Sequence, residues 1–135
     1  MIIINKRNLF FLISVWLLST LLSAQNVTIS TPHTQLLLSV PNGGTPEQLY
    51  YGSRTSDADI RSICETARRR NAYPVYGMGY PCETALSVRH ADGNLTLQMA
   101  VIGVKETRLT KENATLTVIE LKDKVYPFFV NICYK

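Results

Sequence analysis

The sequence predicts a mainly β domain: an antiparallel β-sandwich with one inserted helix, incomplete at its carboxy terminus. Three observations lead there. Short runs alternate apolar and polar residues with a period of two, as in Phe128, Val130, Ile132 and Tyr134 against Phe129, Asn131 and Cys133. That spacing puts one set of side chains on each face of a strand. Asp92-Gly93 stands between two such runs, the strongest short hairpin signal. A single segment, Asp57 to Arg70, carries helical spacing instead. Sheets with one dry face must stack, so a sandwich follows.

The first element is not part of the fold. Lys6 and Arg7 precede an apolar run from Leu9 to Leu22, and Ser23-Ala24 offers small residues before Gln25. This pattern reads as a secretory signal peptide over residues 1–24, cleaved near Ala24. The alternative is a membrane anchor, but the run is shorter than the ~20 residues a span needs. Export to the periplasm or beyond is therefore expected, with no membrane attachment after cleavage. About 110 residues remain, enough for one domain.

Val27 to Val40 is rich in Val, Ile, Leu and Thr, and Pro32 divides it into two strands. Leu36, Leu38 and Val40 alternate in the second. Pro41-Asn42-Gly43-Gly44-Thr45-Pro46 is a turn, and Gln48 to Gly52 a short aromatic strand. Ser56 can cap the helix, with Asp57 and Asp59 in its first turn. Ile60, Ile63, Cys64 and Ala67 share a face. Arg68, Arg69 and Arg70 suit the negative end of the helix dipole; anion binding is the other reading of that run.

Asn71 to Glu83 reads as an ordered loop, with Tyr73, Tyr76 and Tyr80 among glycines and prolines. Such a surface stacks on sugar rings or covers a sheet edge. Leu86 to Ala91 and Leu95 to Ile102 form the hairpin arms, and His90 reads as a surface strand residue rather than a base. Gly103 to Asn113, polar and charged, reads as a strand edge and turn. Leu116 to Leu121 and Val125 to Tyr134 form the last hairpin around Lys122-Asp123-Lys124, with Phe128, Phe129 and Val130 expected in the core. The chain stops while this strand is being written, which suggests the front piece of a longer protein.

The chain has fourteen Lys and Arg against ten Asp and Glu. Lys6 and Arg7 fall in the leader, leaving twelve basic residues and a net charge near +2. That is too weak an excess to argue for nucleic acid. Cys64, Cys82 and Cys133 allow one disulfide with a free thiol, or three buried thiols, and spacing does not choose a pair. With no CxxC and only His33 and His90, a zinc site is not expected. Asn26, Asn94 and Asn113 head glycosylation sequons. Phosphate loops, HExxH and nucleophile elbows are missing, and the acids are scattered, so no complete active site is written here.

Four motifs in order then carry a resemblance. Leu49-Tyr50-Tyr51-Gly52-Ser53, Asn71-Ala72-Tyr73-Pro74-Val75-Tyr76-Gly77, Ala85 to Asn94 and Leu121 to Val130 together resemble the amino-terminal β-sandwich of glycoside hydrolase family 36. The family comprises α-galactosidases, and this version is similar to secreted forms from Bacteroidetes. The resemblance implies a domain over residues 25–135 that is followed by a (β/α)₈ barrel holding both catalytic Asp residues. It implies no catalytic residue and no metal cofactor in this chain. Its partners would be the missing barrel, an α-galactoside substrate in the complete enzyme, and further copies in a homo-oligomer. Many members carry Gly-x-Gly-Asp-x-Arg-x-Pro-Ala after Tyr-Pro, where this chain has Gly77 to Ala85 with Tyr80 and Cys82 at the Asp and Arg positions. Tyr76, Tyr80 and Glu83 are the residues this places nearest a substrate. The rival is a free-standing secreted module binding carbohydrate or protein; Trp16, the only Trp, lies in the leader, which speaks against an immunoglobulin pattern.

Overall fold

The computed structural model describes residues 25–135, so the expected leader and its expected cleavage point lie outside the described residues. Two antiparallel sheets face each other. The first has the order β1 (Gln25–Ser30), β2 (Thr34–Val40), β3 (Glu47–Ser53) and β4 (Arg70–Asn71). The second has the order β5 (Met99–Leu109), β6 (Ala114–Asp123) and β7 (Phe129–Tyr134). The helix, α1 (Asp57–Thr66), joins β3 to β4. The β-sandwich with one inserted helix is thus the observed fold.

The core follows from the alternation. Val27 pairs with Leu38 and Gln25 with Val40 across β1 and β2. Val27, Leu38 and Val40 from one sheet meet Met99, Val101, Ile119 and Leu121 from the other. Each such buried side chain contributes roughly 1.5–3 kcal/mol. Val75 and Leu97, both wholly buried, complete the cluster from outside the named strands.

Strand β2 is dry on its other face too, because the helix segment covers it. Gln35 Oε1 accepts from the Thr55 amide at 3.0 Å and its hydroxyl at 2.9 Å. Asn26 Nδ2 donates to Cys64 Sγ at 3.3 Å, and Arg69 to Ser39 Oγ at 3.3 Å. Leu37 is buried on this face, between Gln35 and Ser39 in the alternation.

The turn after β2 clamps the two sheets. Gly43 N–H donates to the Val101 carbonyl and Val101 N–H to the Gly44 carbonyl, both at 2.8 Å. Gly43 holds φ +74°, a conformation that favours glycine. Opposite this clamp Ile102 is skipped in the β5–β6 register, a bulge that turns its side chain outward.

Several expectations need correction. The helix ends at Thr66 rather than Arg70, because Ala67 takes ψ 140°. The Arg run therefore lies beyond the helix and does not complement its dipole. The face Ile60, Ile63, Cys64 and Ala67 is as expected, half-buried while its neighbours are exposed. The Asp92-Gly93 turn forms, with His90 N–H donating to Asn94 O at 2.8 Å. Its arms do not pair as a ladder, since Val75-Tyr76 threads between them. Tyr76 N–H donates to Leu86 O, and Leu97 N–H to Tyr76 O. Gly103 to Asn113 is as expected: Gly103 to Leu109 continues β5, the edge strand of its sheet, and the turn is the 3₁₀ segment Thr110–Glu112. Phe129 is 57% exposed, whereas Phe128 and Val130 pack on the core. The three cysteines are unpaired, and Cys82 and Cys133 are exposed rather than buried.

Candidate functional site

The segment from Arg70 to Asn94 supplies two candidate surfaces. Its base is fixed by the backbone. Ala72 N–H donates to Pro46 O at 2.9 Å, Ala85 N–H to Pro74 O at 2.8 Å, and Asn71 Oδ1 accepts from the Tyr73 amide at 3.0 Å. Val75 is wholly buried, so the loop is anchored by apolar burial as well. Just beyond it the chain turns outward. Gly77 holds φ +93°, and a Cβ there would meet Thr96 Cγ2 at 2.5 Å. Only glycine allows this close approach.

Tyr76, Tyr80 and Glu83, the site residues expected from sequence, all lie on this outward loop and all are exposed. Met78 is exposed between the tyrosines. None of the three expected residues makes a side-chain hydrogen bond among the described residues. The loop is a rigid base with free side chains, suited to contact with something placed against it.

The second surface was not legible in the sequence. Tyr126 stacks on His90 with ring centroids 3.6 Å apart and planes 11° apart. Its hydroxyl donates to Asp92 Oδ2 at 2.7 Å and accepts from Asn94 Nδ2 at 2.9 Å. Phe128 meets the His90 ring edge-on at 6.3 Å. These residues border an open cleft of about 350 Å³. His90 is half-buried here, and its Nε2 has no partner among the described residues. The Tyr126 hydroxyl and the Asn94 bond hold the Asp92 carboxyl below the usual carboxylate range. The same hydrogen bond to Asp92 pushes the Tyr126 hydroxyl up.

Beneath this cluster Asp123 fixes the β6–β7 turn. Its Oδ1 accepts from Val125 and Tyr126 amides at 2.8 and 2.9 Å, and its Oδ2 from Gln98 at 2.7 Å. Burial pushes this carboxyl up, but donation from the Tyr126, Gln98 and Val125 amides outweighs it and leaves the group below its ordinary value. Glycoside hydrolysis commonly uses two carboxyl groups about 5 to 9.5 Å apart, flanking the bond. Asp92 is the one carboxylate bordering this cleft, and Asp123 is committed to backbone donors. The arrangement can bind and position a ligand, and of these two carboxyl groups only Asp92 faces the cleft. Among the described residues no group of three His, Cys, Asp or Glu is arranged to hold a metal ion.

The single signal that could have exposed the second surface is long range. Tyr126 and Asp92 are 34 positions apart, and no local period links them.

Comparison with known proteins agrees with the architecture. Among solved structures, the chain is similar to the α-galactosidase from Lactobacillus brevis, with TM-score 0.67 and 17% identity. The likeness covers 82% of this chain and 19% of that chain, so this sequence spans about a fifth of that protein's length. At that identity the likeness is one of fold. A search of curated proteins finds no match. The family described as the glycosyl hydrolase family 36 N-terminal domain matches residues 44–135, from the clamping turn through β7. The chain belongs to that family.

Proposed function

We propose that this chain serves as the non-catalytic amino-terminal domain of an exported α-galactosidase, which removes terminal α-galactosyl units from carbohydrates. The observation that carries the reading is the family match over residues 44–135. The fold shared with a solved α-galactosidase supports it, and so does the leader-like pattern of residues 1–24. The domain's work is mechanical: it braces a catalytic barrel and shapes that barrel's mouth. The loop that carries Tyr76, Tyr80 and Glu83 is assigned to that mouth, where aromatic faces and a free carboxylate would meet the sugar. No chemistry is assigned to the domain itself.

The test uses a chromogenic α-galactoside. The purified chain should give no turnover above a protein-free control. A longer product, in which the reading frame continues through a barrel, should turn the substrate over. In that product Tyr80→Ala and Glu83→Gln should raise KM more than they lower kcat. Turnover by the 135-residue chain alone would overturn the reading.

A further inference from the structure

The arginine run loses its role at the helix end and gains another. Ala67 is extended and Arg70 opens β4, and the three arginines divide their surroundings. Arg69 is satisfied, with Glu47 Oε2 at 2.9 Å and Ser39 Oγ at 3.3 Å. Arg68 and Arg70 make no ion pair or hydrogen bond among the described residues. Both instead line an open cleft of about 380 Å³ between α1 and β3, together with Gln48, Tyr50, Tyr51 and Thr66. No carboxylate lines that cleft. The cleft exists because β4 pairs only with Glu47 and Gln48, so the edge of β3 from Leu49 onward stays open.

Tyr50 is held in place, its hydroxyl donating to Ser53 O at 2.9 Å. Tyr51 is 68% exposed, an uncovered aromatic face. Two free guanidinium forks beside a free aromatic face make a specific combination. Guanidinium groups hold carboxylates and sulfates through paired charge-assisted hydrogen bonds. Aromatic faces hold the C–H face of a sugar ring. We propose that this cleft is a binding site for an acidic glycan, with the anionic group on Arg68 and Arg70 and its ring on Tyr51. The site is separate from the loop assigned above to the catalytic mouth and does not depend on that assignment.

Affinity electrophoresis of the full chain tests this with four polymers: polygalacturonate, a sulfated galactan, neutral galactomannan and polyglutamate. Retardation is expected in one or both acidic glycans and in neither of the others. Which acidic glycan retards the protein tells whether the anion is a carboxylate or a sulfate. Arg68→Ala/Arg70→Ala should weaken binding about tenfold or more, the size expected when charge-assisted hydrogen bonds are lost. Tyr51→Ala should weaken it several-fold, while Arg69→Ala should leave it nearly intact. These side chains are exposed, so thermal melts should confirm that the variants stay folded. No retardation by either acidic glycan, equal retardation by polyglutamate, or unchanged binding by the double arginine variant would each overturn the proposal.

Discussion

Asp123 does more than its place in a charged triplet suggests. Lys122-Asp123-Lys124 looks like a solvated turn, yet Asp123 is 2% exposed and accepts from three backbone amides. Two donors are local and the third, Gln98, is 25 positions away, which is why sequence spacing hides it. Asp123→Ala should cost about 3 kcal/mol in urea unfolding, since it leaves buried amides without an acceptor. Asp123→Asn, which keeps one acceptor oxygen, should cost less. The pH dependence has a definite sign. The folded carboxyl lies below its ordinary value of 3.8, so its contribution is present above that value and lost as pH falls through the folded one. Asp92 acts in the same sense. Unfolding curves of Asp123→Asn should therefore lose part of the acid-side slope. Tyr126 works in reverse. Its raised value gives stability present below 10.0 and lost as pH climbs through the folded value, and Tyr126→Phe should remove that alkaline step.

Elements with one dry face and one wet face were readable, because burial imposes the period directly. This held for β7 and the face of α1. From Phe128 through β7 the half-burial of Phe128, Val130, Ile132 and Tyr134 against the exposure of Phe129, Asn131 and Cys133 repeats the sequence alternation. The triplet Phe128 to Val130 could not all be core, since adjacent residues face opposite ways. Ile132→Ser should thus cost about 2 kcal/mol, while Phe129→Ser should change stability by under about 1 kcal/mol. The second half of β5 was readable only as a polar strand edge, for the opposite reason. Lys105, Glu106 and Arg108 are exposed there, and the strand is held by its ladder to β6 rather than by apolar burial. The arm Leu86 to His90 misled because its alternation is real, yet its backbone partner is Val75-Tyr76 and not Leu95 to Gln98. The helix start was the clearest signal of all. Ser56 Oγ accepts from the Asp59 amide at 3.2 Å while Asp59 Oδ2 accepts from the Ser56 amide at 3.3 Å. Ser56→Ala should cost about 1 kcal/mol in the same unfolding assay.

At the scale of the molecule, a closed core coexists with several large apolar side chains left exposed. The core is joined across the sheets by Val101 and the Gly43-Gly44 turn, and Gly43→Val would strain that joint because a β-branched residue resists φ +74°. Outside it, Tyr51, Tyr76, Met78, Tyr80, Leu95, Ile102, Val125 and Phe129 are each at least 40% exposed. Scattered apolar residues on a surface need no explanation, but eight large ones on a domain of this size are many. If the function proposed above holds, those outside the two proposed sugar contacts, such as Leu95, Ile102, Val125 and Phe129, would face a neighbouring domain. This surface was invisible to alternation, which marks a residue as facing outward without telling what it faces. The consequence is measurable. Residues 25–135 should bind a hydrophobic dye in their folded state and elute from a sizing column at positions that shift with concentration. Phe129→Lys and Ile102→Lys should reduce both effects and leave the unfolding midpoint within about 0.5 kcal/mol of the parent, as exposed positions allow. A dye-silent monomer at every concentration would mean that the exposed side chains are too dispersed to act as a surface, and that this domain needs no neighbour to cover it.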